Sequence, residues 1–219
     1  MLRARFSKTG DAIWMSHLDL MRVLQRGFRR AGLLLAHSHG YTPHPNLSLA
    51  LPLSVGVSSV CEIMDFELEE GQDASNLCER LNRVLPAGVE IAEVYEGEMK
   101  VKHLKWLRIA LTMEYDNGVP AGAAQAIEAL FGRDELLFEK KTKSGAVVTQ
   151  NILEMMKELS VTQPDENTLH LECLISAQDP ALNPARIPEA VDRELPAYAP
   201  DFSSVARMQV LTEDGTVFR

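Results

Sequence analysis

Three histidines fall within eight residues of this sequence, in the stretch AHSHGYTPHPN (36–46). They are His37, His39 and His44. An imidazole has an ordinary pKa near 6.5, so these side chains can bind a metal, move a proton or contact a base. The glycine and two prolines of the same stretch favour an irregular, exposed segment. The first candidate site is therefore a loop.

Several kinds of chemistry are compatible with this loop. A metal site would need a carboxylate or thiolate nearby, and none lies between Asp19 and Cys61, so we predict no metal and no cofactor. Cleavage of RNA would need a histidine base, for which His17 and His44 are candidates. Binding needs an anion-holding turn, which Gly40 permits, and groups that stack on bases or read their edges. Those groups are His39, Tyr41, His44 and Asn46. In the remaining alternative, the histidines only satisfy backbone groups of an ordered loop.

A helix with a basic face must position this loop. The pattern of residues 16–32 predicts a helix with Ser16 as N-cap, Asp19 in the capping-box position and Gly32 at the end. Its apolar positions have helical spacing. They are Leu20, Val23, Leu24 and Phe28. Arginines recur on the polar side and can hold phosphate or remain a solvated face. They are Arg22, Arg26, Arg29 and Arg30.

The charge is distributed unevenly along the chain. Residues 1–44 hold seven basic and two acidic residues, a charge of +5, whereas the whole chain carries −9 and the other 175 residues therefore carry −14. A basic head on an acidic body can bind a polyanion locally. The lysines in EKKTKSG (139–145) either extend this basic track or form a solvated hairpin tip.

The order of predicted elements is β-α-β-β-α-β, the ferredoxin-like pattern, and it recurs less clearly in the second half. We therefore predict an α+β fold of two tandem ferredoxin-like halves, 1–98 and 99–219, the second decorated by a hairpin. The first half has predicted strands at 2–10, 47–53, 60–68 and 89–97, and a second helix at 73–85. The second half has predicted strands at 101–116, 168–176 and 202–213, helices at 120–132 and 183–195, a hairpin within 136–152 and an ambiguous segment at 154–161.

Composition and missing motifs exclude several classes. No apolar run approaches the roughly 18 residues that suggest a membrane span, and the N-terminus has no signal-peptide core, so we expect a cytoplasmic protein without membrane contact. Three widely spaced cysteines argue against a disulfide framework. The sequence lacks GxxxxGK[ST], GxGxxG, GxSxG and HExxH, which disfavours an autonomous enzyme of the common classes.

Residues 3–68 resemble the radical SAM-linked protein family, a bacterial domain family of unknown function. The resemblance is carried by RARFSKTG, SHLDL, RGFRRA, GYTPHP, PLSVG and CEIMDFEL. Matching positions include Lys8, the GYTPHP loop, Glu62, Asp65 and three arginines of the helix, Arg26, Arg29 and Arg30. Members of that family occur beside or fused to radical SAM proteins, near ribonuclease and ribosomal-protein genes. The resemblance implies a radical SAM protein partner and RNA, for example tRNA or rRNA, as the molecule acted upon.

The sequence thus favours an RNA-binding accessory or substrate-presenting partner of a radical SAM enzyme. The predicted nucleic-acid-binding residues are Lys8, Arg22, Arg26, Arg29, Arg30, His39, Tyr41, His44 and Asn46. The predicted supporting residues are Ser16, Asp19, Gly40, Glu62 and Asp65, of which the last two pin a cation or accept from a base amino group. Two alternatives stay open, a metal-independent endoribonuclease with a histidine base and a structural adaptor that docks on the radical SAM partner without RNA.

Overall fold

The N-terminal half of the chain contains four neighbouring antiparallel strands on which two helices pack. The computed structural model describes residues 1–141, 145 and 147–219, without the side chains of residues 140 and 141. It divides into unit 1, Met1–His103 with Val217–Arg219, and unit 2, Leu104–Thr216. The elements of unit 1 are β1 (Leu2–Lys8), α1 (His17–Arg30), β2 (Leu47–Leu49), β3 (Ser58–Phe66), α2 (Leu77–Asn82) and β4 (Val89–Glu96).

The strand order in unit 1 is β4-β1-β3-β2, and each neighbouring pair is antiparallel. Alternation along β1 places Ala4 and Phe6 in the core. The helices bury their apolar faces against the same cluster. Phe28 of α1 packs on Phe66 of β3, with ring centroids 4.8 Å apart in a tilted arrangement. This contact fixes α1 on the sheet, with its arginines on the opposite side.

A glycine inside α1 allows the close approach of a neighbouring segment. A β-carbon at Gly27 would lie 2.8 Å from the Leu85 side chain, closer than real contacts allow. Glycine in a helix interior costs about 1 kcal/mol relative to alanine, so packing is the reason for its place here. Gly27 lies between Arg26 and Phe28 and faces the core, where it is buried.

Unit 2 contains four neighbouring antiparallel strands and a separate two-stranded hairpin. The order of the four strands is β10-β5-β9-β8, and β6 pairs with β7 in the hairpin. The elements are β5 (Leu104–Glu114), α3 (Ala123–Phe131), β6 (Leu137–Lys141), β7 (Val147–Asn151), β8 (Met156–Asp165), β9 (Thr168–Ser176), α4 (Arg186–Glu194) and β10 (Phe202–Thr212). The side chains of the hairpin lysines, Lys140, Lys141 and Lys143, lie outside the described residues.

The described residues have a mainly β-sheet core with four α-helices, so the fold class is α+β, as predicted. The ambiguous segment 154–161 lies largely in β8 and is a strand. Among the described helices, none is both long and apolar enough to cross a membrane.

Two elements have less than half of their predicted length, for local reasons. The helix predicted at 73–85 is α2, and Asp73 does not cap it, because its carboxylate accepts from the Ser75 backbone N–H and hydroxyl at 2.8 Å each. Asn76 then adopts a left-handed conformation (φ 53°) and α2 begins after it. The strand predicted at 47–53 ends at Leu49, ahead of Pro52, which has no backbone N–H to donate to a sheet.

The N-terminus of α1 has Ser16 as its predicted cap. The Ser16 hydroxyl oxygen accepts from the Asp19 backbone N–H at 3.2 Å, and the hydroxyl donates to the Asp19 carboxylate at 2.7 Å. This hydrogen bond, more than the neighbouring Arg22, holds the pKa of Asp19 below its ordinary value of 3.8. The N-terminal end of the helix dipole also favours the negative charge.

We expect Ser16→Ala to lower the free energy of unfolding by about 1 kcal/mol, because one backbone N–H loses its acceptor.

The stabilisation of the fold by the Asp19 carboxylate should depend on pH. A carboxyl with a depressed native pKa stabilises the fold above its ordinary pKa, and this stabilisation is lost as the pH falls through the native value. Melting temperatures from pH 7 down to pH 2 should show Asp19→Asn losing its deficit relative to wild type at the acid end. Parallel curves at every pH would contradict this assignment.

Candidate functional site

A groove of about 240 Å³ lies between α1 and the segment that follows it. Arginines from one face of α1 form one wall, leucines and an aromatic ring form the floor, and loop residues complete the rim. The lining residues are Arg22, Gln25, Arg26, Phe28, Arg29, Leu33, Leu34, Leu35, His37, Pro45 and Glu69. A concave site with an apolar floor and a few convergent polar groups is the usual form of a ligand site.

Backbone pairing fixes the floor of the groove. Leu35 forms an isolated antiparallel bridge with Leu68. The Ala36 N–H donates to the Glu67 carbonyl at 2.9 Å, and the Glu69 N–H donates to the Leu34 carbonyl at 2.9 Å. Residues 33–36 are therefore held beside 67–69 as a short extended segment, although neither lies in a named strand.

The arginines differ in how far they are already paired. All are exposed on α1. Arg22 donates to Asp19 at 3.1 Å, an exposed pair of low strength. Arg26 and Arg29 form no ion pair with any residue that the structure describes. Residues 22, 26 and 29 are spaced i, i+4 and i+7, so their side chains share one helix face. Two uncompensated guanidinium groups thus face the groove.

The histidine loop is an ordered hairpin-like turn with an exposed tip. The Ser38 N–H donates to the His44 carbonyl at 2.9 Å, and the His44 N–H donates to the Ser38 hydroxyl oxygen at 3.2 Å. The His44 ring Nδ1 lies 2.8 Å from the same hydroxyl. Tyr41 at the tip is fully exposed, and Gly40 has a φ of +148°, which favours glycine.

The base of this loop joins the groove. His37 and Pro45 form an isolated antiparallel bridge, and both line the groove. His39, Tyr41 and His44 do not line it but lie in the tip that continues from this bridge. The structure therefore brings three of the predicted arginines to one groove and places the predicted stacking residues on an adjoining projection.

Three of the predicted nucleic-acid-binding residues, Lys8, Asn46 and Arg30, do not line the groove. The Lys8 ammonium is buried and donates to the carbonyls of Ile13 (3.1 Å) and Met15 (2.9 Å), which fastens the 3-10 helix Gly10–Trp14. Burial lowers the pKa of Lys8, partly offset by the nearby Glu62 charge. The Asn46 amide donates to Glu67 at 2.8 Å and helps hold the loop. Arg30 is exposed but does not line the groove.

The strand carboxylates are buried. Glu62 and Asp65 are 2% and 9% exposed. Asp65 accepts from Arg3 twice, at 2.6 and 2.9 Å, and this pairing with Asp65 raises the pKa of Arg3. Asp65 does pair with a cation, which is Arg3. Neither carboxylate faces the groove.

The histidine proposed as a catalytic base lies away from the arginines. His17 is the first residue of α1, and it is about 140° around the helix axis from Arg22. Its Nδ1 is buried and has no hydrogen-bond partner among the described residues. His44 has its Nδ1 beside Ser38. The structure thus brings neither of the two proposed bases, His17 and His44, to the groove, where the histidine beside the arginines is His37. Within the described part of the chain, no cluster of three or more His, Cys, Asp or Glu side chains could hold a metal ion.

Sequence reasoning missed part of the groove. Gln25, Leu34 and Glu69 line it, and His37 was weighed only as a metal ligand or backbone partner. The available signal was the run of three leucines directly after the end of α1, which marks an apolar extended segment beside the basic face. Glu69 had no such signal, because it reaches the groove through pairing across more than thirty residues of chain.

Fold and groove together define an α+β protein with a cationic groove that has an apolar floor. The chain belongs to a family of uncharacterised proteins conserved in bacteria, DUF2344, whose model matches residues 1–184. No curated protein sequence matches the chain.

Two solved structures illustrate what the fold is similar to. A chain in a crystal structure of a Cbf5-Nop10-Gar1 complex aligns with 97% of this chain at 12% identity and a TM-score of 0.53. This chain spans 50% of the length of that one, and at such identity the likeness concerns the fold alone. An unknown protein from Galdieria sulphuraria aligns over 93% of this chain and 94% of its own length, at 8% identity. Its TM-score of 0.27 is too low to support an argument.

Proposed function

We propose that this protein is an RNA-binding accessory or substrate-presenting partner of a radical SAM enzyme, active in tRNA or rRNA modification. The observation that carries the RNA part is the groove beside α1, where Arg26 and Arg29 face an apolar floor without an ion-pair partner among the described residues. Guanidinium groups bind phosphate through planar, two-pronged hydrogen bonds. An apolar floor next to them suits the ring of a base.

The adjoining loop supports a single-stranded ligand. Sequence-tolerant RNA sites combine cations with exposed rings on which bases stack. Tyr41 and His39 are exposed on a tip whose base is fixed by the Ser38–His44 hydrogen bonds. A nucleotide in the groove would have its neighbour near this tip, because His37 and Pro45 connect the two.

The partner is proposed from sequence. Residues 3–68 resemble the radical SAM-linked family, and the acidic remainder of the chain offers a surface for a protein partner. We further infer that each unit is ferredoxin-like. Strand order supports this, since in each unit the last of the four neighbouring strands lies beside the first and the second lies beside the third, with one helix after the first strand and one after the third.

The RNA part is tested by fluorescence anisotropy with a labelled single-stranded RNA at about 50 and 200 mM salt. Several phosphate contacts should weaken binding by orders of magnitude between the two conditions. We expect measurable binding at the lower salt and a steep loss at the higher. Absence of binding at the lower salt would overturn the RNA part of the proposal.

One observation favours the adaptor as the second candidate. Trp14, Leu18 and Val55 are 67%, 64% and 54% exposed near the start of α1. The Trp14 ring lies against Gly56, whose N–H donates to the Ile13 carbonyl at 2.9 Å. Exposed apolar side chains of this size are typical of protein interfaces.

We expect Trp14 to report docking of a radical SAM protein. The chain has two tryptophans, and Trp106 is buried, so a change in exposed-tryptophan emission comes from Trp14. Emission should shift to shorter wavelength when a purified radical SAM partner is added, and Trp14→Phe should lose this shift. An unchanged spectrum with a bound partner would place the interface elsewhere.

A further inference from the structure

The groove holds an unpaired carboxylate as well as unpaired cations. Glu69 lines the groove with Arg26 and Arg29, yet it forms no ion pair with any described residue. Its backbone is fixed, because its N–H donates to the Leu34 carbonyl at 2.9 Å. The negative and positive groups therefore share one cavity without neutralising each other.

The carboxylate repels phosphate while the arginines attract it, so the groove favours a ligand that satisfies both charges. A nucleotide does so when its phosphate meets the arginines and its base offers a hydrogen-bond donor to the carboxylate. An ionised carboxylate only accepts hydrogen bonds. It therefore suits the amino group of cytosine, adenine or guanine. Uracil would place carbonyl oxygens next to the carboxylate and is disfavoured.

The size of the groove limits how much of the ligand enters. Its volume of about 240 Å³ lies below the roughly 300–1,000 Å³ of sites for drug-sized ligands. The floor between the charged walls is apolar, with Leu34 48% exposed. One base with its phosphate fits this description better than two.

We propose that the groove selects a single nucleotide whose base carries an amino group, with Glu69 as the specificity-determining residue. Of the two pyrimidine nucleotides, the groove binds cytidine more tightly than uridine. This inference rests on the proposed RNA-binding function and adds the class of nucleotide to it.

The test compares two pyrimidines that differ at the position Glu69 reads. Labelled cytidine and uridine pentanucleotides are titrated with the full chain at neutral pH and about 50 mM salt. We expect wild type to bind the cytidine oligomer about tenfold more tightly. Glu69→Gln should bring the ratio to about one, because an amide both donates and accepts. Glu70→Gln, an exposed neighbour outside the groove, should keep the wild-type ratio.

The outcomes separate the two proposals. If wild type binds both oligomers equally well, the specificity inference fails while RNA binding stands. If wild type binds neither oligomer, the proposed function fails and the inference fails with it. If Glu70→Gln loses the ratio as Glu69→Gln does, general negative charge causes the discrimination, and Glu69 is not its source. Using the ratio of affinities removes the uniform gain that loss of one negative charge gives to every RNA.

Discussion

Reversing the charge of Arg26 and Arg29, the two unpaired arginines of the groove, should abolish RNA binding at physiological salt. We expect Arg26→Glu/Arg29→Glu to weaken binding of single-stranded RNA by at least about 100-fold at 50 mM salt. Two phosphate contacts are lost and two repulsive charges replace them. The slope of log affinity against log salt should also fall, by about 0.7 for each phosphate contact removed from a single strand. Anisotropy titrations at four salt concentrations measure both quantities.

A matched control lies on the same helix. Arg30 is exposed and adjacent to Arg29 but does not line the groove, so Arg30→Glu should weaken binding by only a few-fold. All four arginines are exposed, so circular dichroism should report folded variants. Equal losses in both variants would mean that α1 binds RNA through its overall charge. Unchanged binding in the double variant would remove the groove as the RNA site.

The sequence predicted α1 accurately because its signals are local. The apolar spacing and the N-cap act within one or two turns, and the helix spans His17–Arg30 with Ser16 as its cap. The same holds for β1, where alternation alone places Ala4 and Phe6 in the core. The ends of an element are harder to predict from sequence when side chains compete for its terminal hydrogen bonds. The start of α2 is an example, because the turn at Asp73 and the left-handed Asn76 delay it.

The candidate site was predicted only where one helix face defines it. Arg22, Arg26 and Arg29 share that face by spacing, and they do line the groove. Lys8 was predicted to bind RNA together with these arginines. Alternation along β1 instead places its side chain in the interior, where it donates to two backbone carbonyls. The apolar floor and Glu69 depend on pairing between residues 33–36 and 67–69, and no local pattern encodes that register.

Arg3 shows most clearly what the sequence conceals. Its position in the alternating stretch suggests a solvated arginine opposite Ala4, yet its side chain is 4% exposed. It reaches Asp65, sixty-two residues away, and also donates to the Met99 carbonyl at 2.9 Å. The Phe218 ring lies 4.7 Å from its guanidinium carbon. Only the paired register of β1 and β3, with Arg3 opposite Asp65, makes this burial possible.

Gly97 completes the enclosure of this arginine. A β-carbon at Gly97 would lie 3.1 Å from the guanidinium carbon of Arg3, so the absence of a side chain lets the cation lie flat against the backbone. The Phe218 ring, the backbone at Gly97 and the Asp65 carboxylate surround the Arg3 guanidinium, which therefore has little access to water. A charge in that position depends on its partner, because water cannot replace the lost interaction.

We therefore expect Asp65→Asn to lower the free energy of unfolding by about 3–5 kcal/mol, the largest effect of any single substitution proposed for this protein. The amide keeps the shape of the side chain but leaves the buried guanidinium uncompensated. Glu93→Gln is the matched control, since Glu93 pairs with Arg5 and Arg219 at 2.7 Å each in a partly exposed setting, and it should cost about 0–1 kcal/mol. Urea unfolding followed by circular dichroism compares the two.

The double variant Arg3→Met/Asp65→Leu separates two explanations of this cost. If the penalty comes from the unpaired charge, removing both charges should recover much of the stability lost in Asp65→Asn, because apolar side chains of similar volume often replace buried pairs without loss. If it comes from the geometry of the pair, the double variant should be at least as unstable as the single one. Recovery would show that β1 and β3 are held mainly by apolar burial around Ala4 and Phe66. The ion pair would then serve to fix which residues of the two strands lie opposite each other.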